Sequence, residues 1–194
     1  MDEPQPITQV QMIWPGARRQ SPPTGKLPAG YHLRTFRPGD EAGFYAVMAL
    51  AGWPGWDVAK LKPWLYRILP EGWFMAVHTQ SNQIVATAMA THDPTWRSPF
   101  CAELGWVAAD PAHAGQGLGT AVVAAATARM IAAGYAHIHL YTEPYRLAAL
   151  KIYLKLGYLP FLSIPGETDV WREICEQLAW PYEPREWVYA GEEL

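Results

Sequence analysis

Residues Glu103 to Val122 read ELGWVAADPAHAGQGLGTAV. A run rich in strand-forming residues gives way near Asp110-Pro111 to a loop holding Gly115, Gly117 and Gly119. An alanine-rich stretch with helical spacing follows at once. At such a junction several backbone N–H groups converge on a helix N-terminus, where the macrodipole also favours negative charge. Glycines let an anion approach the backbone with no Cβ in the way. The arrangement suits a pyrophosphate. The dinucleotide fingerprint would need glycine at Thr120 or Val122, and the nucleotide P-loop would need Gly-Lys-Ser/Thr, whereas this loop has no lysine. On the loop alone, a tight turn with no ligand stays open.

Outward from the loop, the order of elements is mixed. Tyr31–Phe36 predicts a strand ended by Pro38-Gly39. Asp40 is a candidate N-cap for a helix whose apolar face is Phe44, Val47, Met48 and Ala51, with Gly52 as its stop. A second helix is expected from Asp57, with Val58, Leu61, Leu65, Ile68 and Leu69 on one face and a kink or late start at Pro63. Trp73–His78 and Ile84–Thr91 predict a hairpin, and Phe100–Val107 a third strand after a Pro-containing loop, Asp93 to Pro99. A helix over Thr120–Ala133, a strand over His137–Tyr141 and a helix over Leu147–Leu156 come next. A tail from residue 165 holds a helix around Val170–Leu178 and a strand over Glu186–Ala190. Residues 1–30 contain Pro4, Pro6, Pro15, Pro22, Pro23 and Pro28, a density that predicts an extended or disordered arm without helix or central strand. The domain proper is then expected over 31–194. Hairpin-linked strands followed by β-α units predict an α/β (α+β) fold, a mixed sheet with helices on both faces.

Composition narrows the class. Of 194 residues half are hydrophobic and ten are Trp, which excludes a disordered chain. The net charge is −3 with signs interspersed, against the concentrated basic face of a nucleic-acid binder. No apolar run approaches the ~20 residues of a membrane span, and residues Met1 to Ile13 show no signal-peptide pattern, so the expected location is the cytoplasm. Cys101 and Cys175 have no metal-ligand spacing and read as small buried hydrophobes. His137 and His139 share one strand face but show no third ligand in the sequence, so no metal is expected.

The spacing Gly117-Leu118-Gly119 between strand and helix resembles the coenzyme A loop of the GNAT acetyltransferase superfamily, Arg/Gln-x-x-Gly-x-Gly/Ala. Ala114 departs from it at the Arg/Gln position. Downstream, YRLAALKIYLKLGY (Tyr145–Tyr158) resembles that family's later helix: Ala149, Tyr153, Gly157 and Tyr158 fall in register, and Arg146 stands where Asn is common. The resemblance covers about Tyr31 to Leu162. It implies a splayed sheet whose opening takes the pantetheine arm along Glu103–Ala109, near the backbone of Val107 and Ala109. The pyrophosphate would lie on Gly115, Gln116, Gly117, Leu118, Gly119 and Thr120, with acetyl-CoA as cosubstrate.

The implied chemistry is acyl transfer from a thioester to a primary amine. Such a reaction needs a neutral amine, donors for the oxyanion and a proton for the leaving thiolate. By the resemblance, Tyr153 protonates the sulfur. Glu103, an acid flanked by Ala102 and Leu104, is the candidate base, since an apolar setting raises a carboxyl's pKa. Both have structural alternatives: a core aromatic and an outward-facing strand residue. Trp53 and Trp56, in GWPGWD (Gly52–Asp57), are candidates to stack on a small-molecule or peptide acceptor, with Trp171, Trp180 and Trp187 of the tail beside them. A homodimer is compatible with the sequence. The rival readings are a coenzyme A-binding regulatory module without catalysis, which Ala114 and Arg146 favour, and a structural domain whose glycines only make turns.

Overall fold

The computed structural model describes residues 8–94 and 98–191. Pro4, Pro6 and the middle of the 93–99 loop therefore lie outside the described residues. The elements are β1 (Val10–Ile13), β2 (Tyr31–Thr35), α1 (Glu41–Leu50), α2 (Val58–Leu65), β3 (Ile68–His78), β4 (Gln83–His92) and β5 (Cys101–Ala109). After the glycine loop come α3 (Leu118–Ala132), β6 (His137–Thr142), α4 (Leu147–Leu156), β7 (Leu159–Leu162), α5 (Glu167–Leu178) and β8 (Val188–Tyr189). One eight-stranded sheet runs β2-β3-β4-β5-β6-β1-β7-β8. The pairs β5/β6 and β7/β8 are parallel and the others antiparallel.

Helices cover both faces, as the element order predicts. Alternation along the strands sends Trp73, Met75, Val77 and Met89 to one face, where they pack with Phe44, Val47, Met48 and Leu61 of α1 and α2. Ala76, Ala88 and Ala90 face the other way, against Val122, Val123, Ala126 and Met130 of α3. Small residues on this side let the alanine-rich helix approach closely.

The proline-rich segment departs from expectation. Val10–Ile13 forms an interior strand, antiparallel to β6 on one side and β7 on the other, with Val10, Met12 and Ile13 buried. The prolines of residues 1–30 stand outside the four paired residues, so each of those four keeps its own N–H. Arg18 then donates from Nη1 to the Gly157 carbonyl at 3.1 Å, fixing the segment to the end of α4. Ile68 and Leu69 also differ from the sequence reading. They open β3 instead of extending α2, which starts at Val58 under a cap from Asp57 (Lys60 N to Oδ1, 2.8 Å) and ends two residues after Pro63. Between Ile68 and Trp73 the strand is irregular, with Glu71 at φ 56°. Gly72 is boxed there: a Cβ would meet Leu69 O at 2.8 Å and Ala90 O at 2.9 Å. Asp40 takes the N-cap position of α1 as expected, but its side chain makes no capping bond; the carboxylate accepts instead from Arg34 (2.5 and 2.8 Å) and from the Arg37 amide (2.7 Å). Strand β7 was not foreseen.

Candidate active site

Strands β5 and β6 pair only where Cys101–Glu103 meet His137–His139. Beyond Glu103 no pairing joins them among the described residues, and the sheet parts. The cause lies in β5 itself. Its register against β4 slips between Met89↔Gly105 and Thr87↔Ala108, leaving Trp106 and Val107 opposite Ala88. Trp106 takes φ 52°, a conformation that costs a non-glycine residue about 1–3 kcal/mol. Such a bulge bends its strand and re-aims side chains. The result is a cleft of about 520 Å³, lined along one wall by Glu103 to Ala109 and along the other by Tyr141, Thr142 and the α4 residues Ala149, Ile152 and Tyr153.

The glycine loop leads into the start of α3, which reaches the cleft at Gly119. Gly115 and Gly117 both sit in the left-handed region, φ 78° and 75°. Gly117 is the N-cap of α3 and offers no side chain to the first-turn amides. Gly119 lines the cleft, and a Cβ there would meet Ile152 Cδ1 at 2.9 Å. Ala114, Gly115, Gln116 and Gly117 are exposed, whereas the Leu118 side chain is buried in the core. Leu118 can therefore meet an anion only through its amide. Exposed loop glycines, an uncapped helix start and a parted sheet fit a diphosphate carrying an extended arm.

Tyr153 is buried beneath the cleft, and burial pushes its hydroxyl well above the ordinary phenol range, with Arg146 opposing and Glu143 adding to the shift. Among the described residues its hydroxyl has no hydrogen-bond partner. Glu103 lines the opposite wall. Its Oε2 accepts from Arg67 Nη2 at 3.2 Å, and its Oε1 lies 4.0 Å from the point a Cβ on Gly105 would take. Burial pushes its pKa up, Arg67 pulls it down and Asp93 pushes it up again. His139, wholly buried, places Nε2 at 3.2 Å from Asp93 Oδ2, and burial lowers its pKa to about 4.

Asp93, Glu103 and His139 bring ligand-type atoms within 4.8 Å of one another, a set that includes His139 but not His137. Arg67 already supplies a cation between the two carboxylates, at 3.2 and 3.3 Å. Only strand register reveals this set. Glu103 pairs with Thr91, next to His92, across β4, and with His139 across β6.

On the remaining side four tryptophans meet. Trp106 stands edge-on to Trp56 (4.5 Å between centroids), Trp64 (5.0 Å) and Trp53 (6.2 Å). Trp53, Trp64 and Trp106 line the cleft, while Trp56 lines a neighbouring hollow behind them and packs on Phe44. Arg146 stacks over Trp53 at 3.6 Å, pairs with Glu143 at 2.6 Å and donates to the Ala51 carbonyl at 3.2 Å, tying the 51–53 turn to α4. Trp171 and Trp187 of the tail lie instead in the core, 5.8 Å apart, and do not line the cleft. Trp64 and Trp106 were missed in the sequence, although Trp106 sits within the opening stretch and is flanked by Gly105.

The sequence pattern of the Acetyltransferase (GNAT) family matches residues 40–158, more than half of the chain. Two curated relatives are named mycothiol acetyltransferase. The one from Thermobispora bispora is 29% identical over 78% of this chain and 55% of its own length; the one from Nocardia farcinica is 31% identical over 69% and 47%. The chain thus spans about half the length of the curated relatives it matches. A GCN5-related N-acetyltransferase from Sphaerobacter thermophilus shares the fold at TM-score 0.65 and 24% identity, over 80% of this chain and 49% of that one. The NatC complex bound to Gag peptide and CoA contains another such chain, at TM-score 0.59 and 20% identity, over 66% and 83%. No described helix is long and apolar enough to cross a membrane. The parted sheet, the glycine loop and the family match converge: the chain belongs to the GNAT family of acetyltransferases.

Proposed function

We propose that the chain moves an acetyl group from acetyl-CoA to a primary amine by direct transfer. The observation that carries this reading is the stretch of β5 beyond Glu103 that no longer pairs with β6, which leaves a cleft running from a carboxylate to the start of α3. The first-turn amides of Leu118, Gly119 and Thr120, with Gly115, Gln116 and Gly117, hold the diphosphate. The edge of β5 near Val107 and Ala109 holds the pantetheine arm, and its backbone N–H groups stabilise the oxyanion. Acetyl-CoA supplies the activated thioester when bound.

Glu103 takes a proton from the acceptor ammonium so that a lone pair is available. Burial raises its pKa, which makes it a stronger base than an exposed carboxylate. Tyr153 stays protonated at working pH because it is buried, and gives a proton to the departing sulfur. Trp53, Trp64 and Trp106 form the acceptor's apolar wall. Trp56 supports that wall from behind by packing on Trp106, in place of contacting the acceptor directly.

A panel of primary amines with acetyl-CoA and a free-thiol readout tests the reading. Because two relatives are named for mycothiol, a mycothiol-related amine belongs in the panel beside peptide N-termini and aminoglycosides. Acetyl-CoA binding without thiol release on any amine would favour a coenzyme A-binding module instead.

A further inference from the structure

Behind the cleft, one guanidinium holds together groups from three parts of the chain. Arg67 lies between α2 and β3. Its Nε donates to the His92 carbonyl at 3.0 Å, and its Nη2 sits 3.2 Å from Glu103 Oε2 and 3.3 Å from Asp93 Oδ1. Its plane also approaches the Trp64 ring, 4.9 Å from the centroid, so it touches the acceptor wall as well. Asp93 in turn faces His139 of β6 at 3.2 Å.

We propose that Arg67 is the positioning residue of the transfer reaction: it holds Glu103 ionised beside Asp93 and aims the carboxylate's second oxygen into the cleft. This rests on the reading of Glu103 as the base. The physical case is one of like charges. Two carboxylates inside 4.8 Å in a partly buried setting cannot both ionise near neutral pH unless a cation lies between them, and otherwise share a proton. A shared proton would occupy the lone pair that must accept the amine's. Arg67 removes that competition with one fork, and the 3.0 Å bond to the His92 carbonyl fixes where the fork stands. Among the described residues, the charged and titratable groups facing Glu103 are then Arg67 from the α2–β3 junction, Asp93 just past β4 and His139 from β6. Lysine would retain the charge but not the planar fork that reaches both carboxylates and the carbonyl.

The test compares kcat/KM against pH for wild type, Arg67→Gln, Arg67→Lys and Asp93→Asn, with a carbon-13 NMR titration of the Glu103 carboxyl in the same full-length proteins. Arg67→Gln moves the acid limb and the Glu103 titration upward by about one unit or more. Arg67→Lys moves both by less, and Asp93→Asn moves both downward. A fall in activity by the same factor at every pH, with the Glu103 titration unmoved, would overturn the proposal and leave Arg67 a structural residue. If Glu103→Gln retains the wild-type profile, the base reading fails instead, and the NMR titration still decides whether Arg67 sets the Glu103 charge. Should Arg67→Gln not fold, Arg67→Lys and Asp93→Asn must still shift the titration in opposite directions, or the proposal fails.

Discussion

Replacing Tyr153 by Phe separates chemistry from architecture, because the structure makes opposite demands on the two. The ring fills the core beneath the cleft and meets Tyr158 edge-on at 6.1 Å between centroids, and phenylalanine keeps that packing. The hydroxyl has no hydrogen-bond partner among the described residues, so its loss removes none, and the change in stability should stay within about 1 kcal/mol. Catalysis should not be spared. A positioned general acid contributes roughly 10²–10⁴-fold, so kcat should fall at least about 100-fold, equivalent to about 2.7 kcal/mol of barrier. KM for acetyl-CoA should hold, since the hydroxyl meets the sulfur only as it leaves. Steady-state kinetics by thiol release, beside urea unfolding of both proteins, gives both numbers. A kcat within twofold of wild type would refute the assignment. So would a loss of kcat matched by a loss of several kcal/mol in stability, which would make Tyr153 a packing residue.

Three further outcomes follow from the same geometry. Met12→Ala, at a fully buried position of an interior strand, should cost about 2–5 kcal/mol in urea unfolding; a cost under 1 kcal/mol would show that β1 does not occupy its slot. Trp106→Ala should raise KM for the acceptor about tenfold or more while leaving KM for acetyl-CoA near wild type, and equal effects on both would remove the tryptophans from acceptor binding. His139 should stay neutral in NMR titration until about pH 4. Because the unfolded chain binds that proton near 6.5, its contribution to stability is complete above 6.5 and is lost as pH falls toward 4. A titration of His139 near its ordinary value would contradict its burial against Asp93.

What could be read in the sequence was local. Positive φ values at Gly115 and Gly117 favour glycine there, and the loop, α3 and α4 are contiguous segments with strong punctuation. Glu103 and Tyr153 do face one cleft, and the sheet does part beyond Glu103. The failures came where distant segments decide the outcome. Val10–Ile13 is four residues long and surrounded by prolines, so only β6 and β7 reveal it as a strand. Ile68 and Leu69 keep the apolar spacing of α2, and the sequence carries no mark of the turn into β3. Arg67, Asp93 and His139 come from three segments and share no motif; register across β3, β4, β5 and β6 brings them to Glu103. The tryptophan wall has the same origin, with Trp53 and Trp56 from one loop, Trp64 from α2 and Trp106 from the β5 bulge.

The most direct test is a crystal structure of the chain with coenzyme A. The account predicts the diphosphate on the amides of residues 115–120 and the pantetheine arm lying between Leu104–Ala109 and Leu140–Thr142, its sulfur near Tyr153. Coenzyme A bound elsewhere, or β5 and β6 closing into a continuous ladder past Glu103, would contradict it.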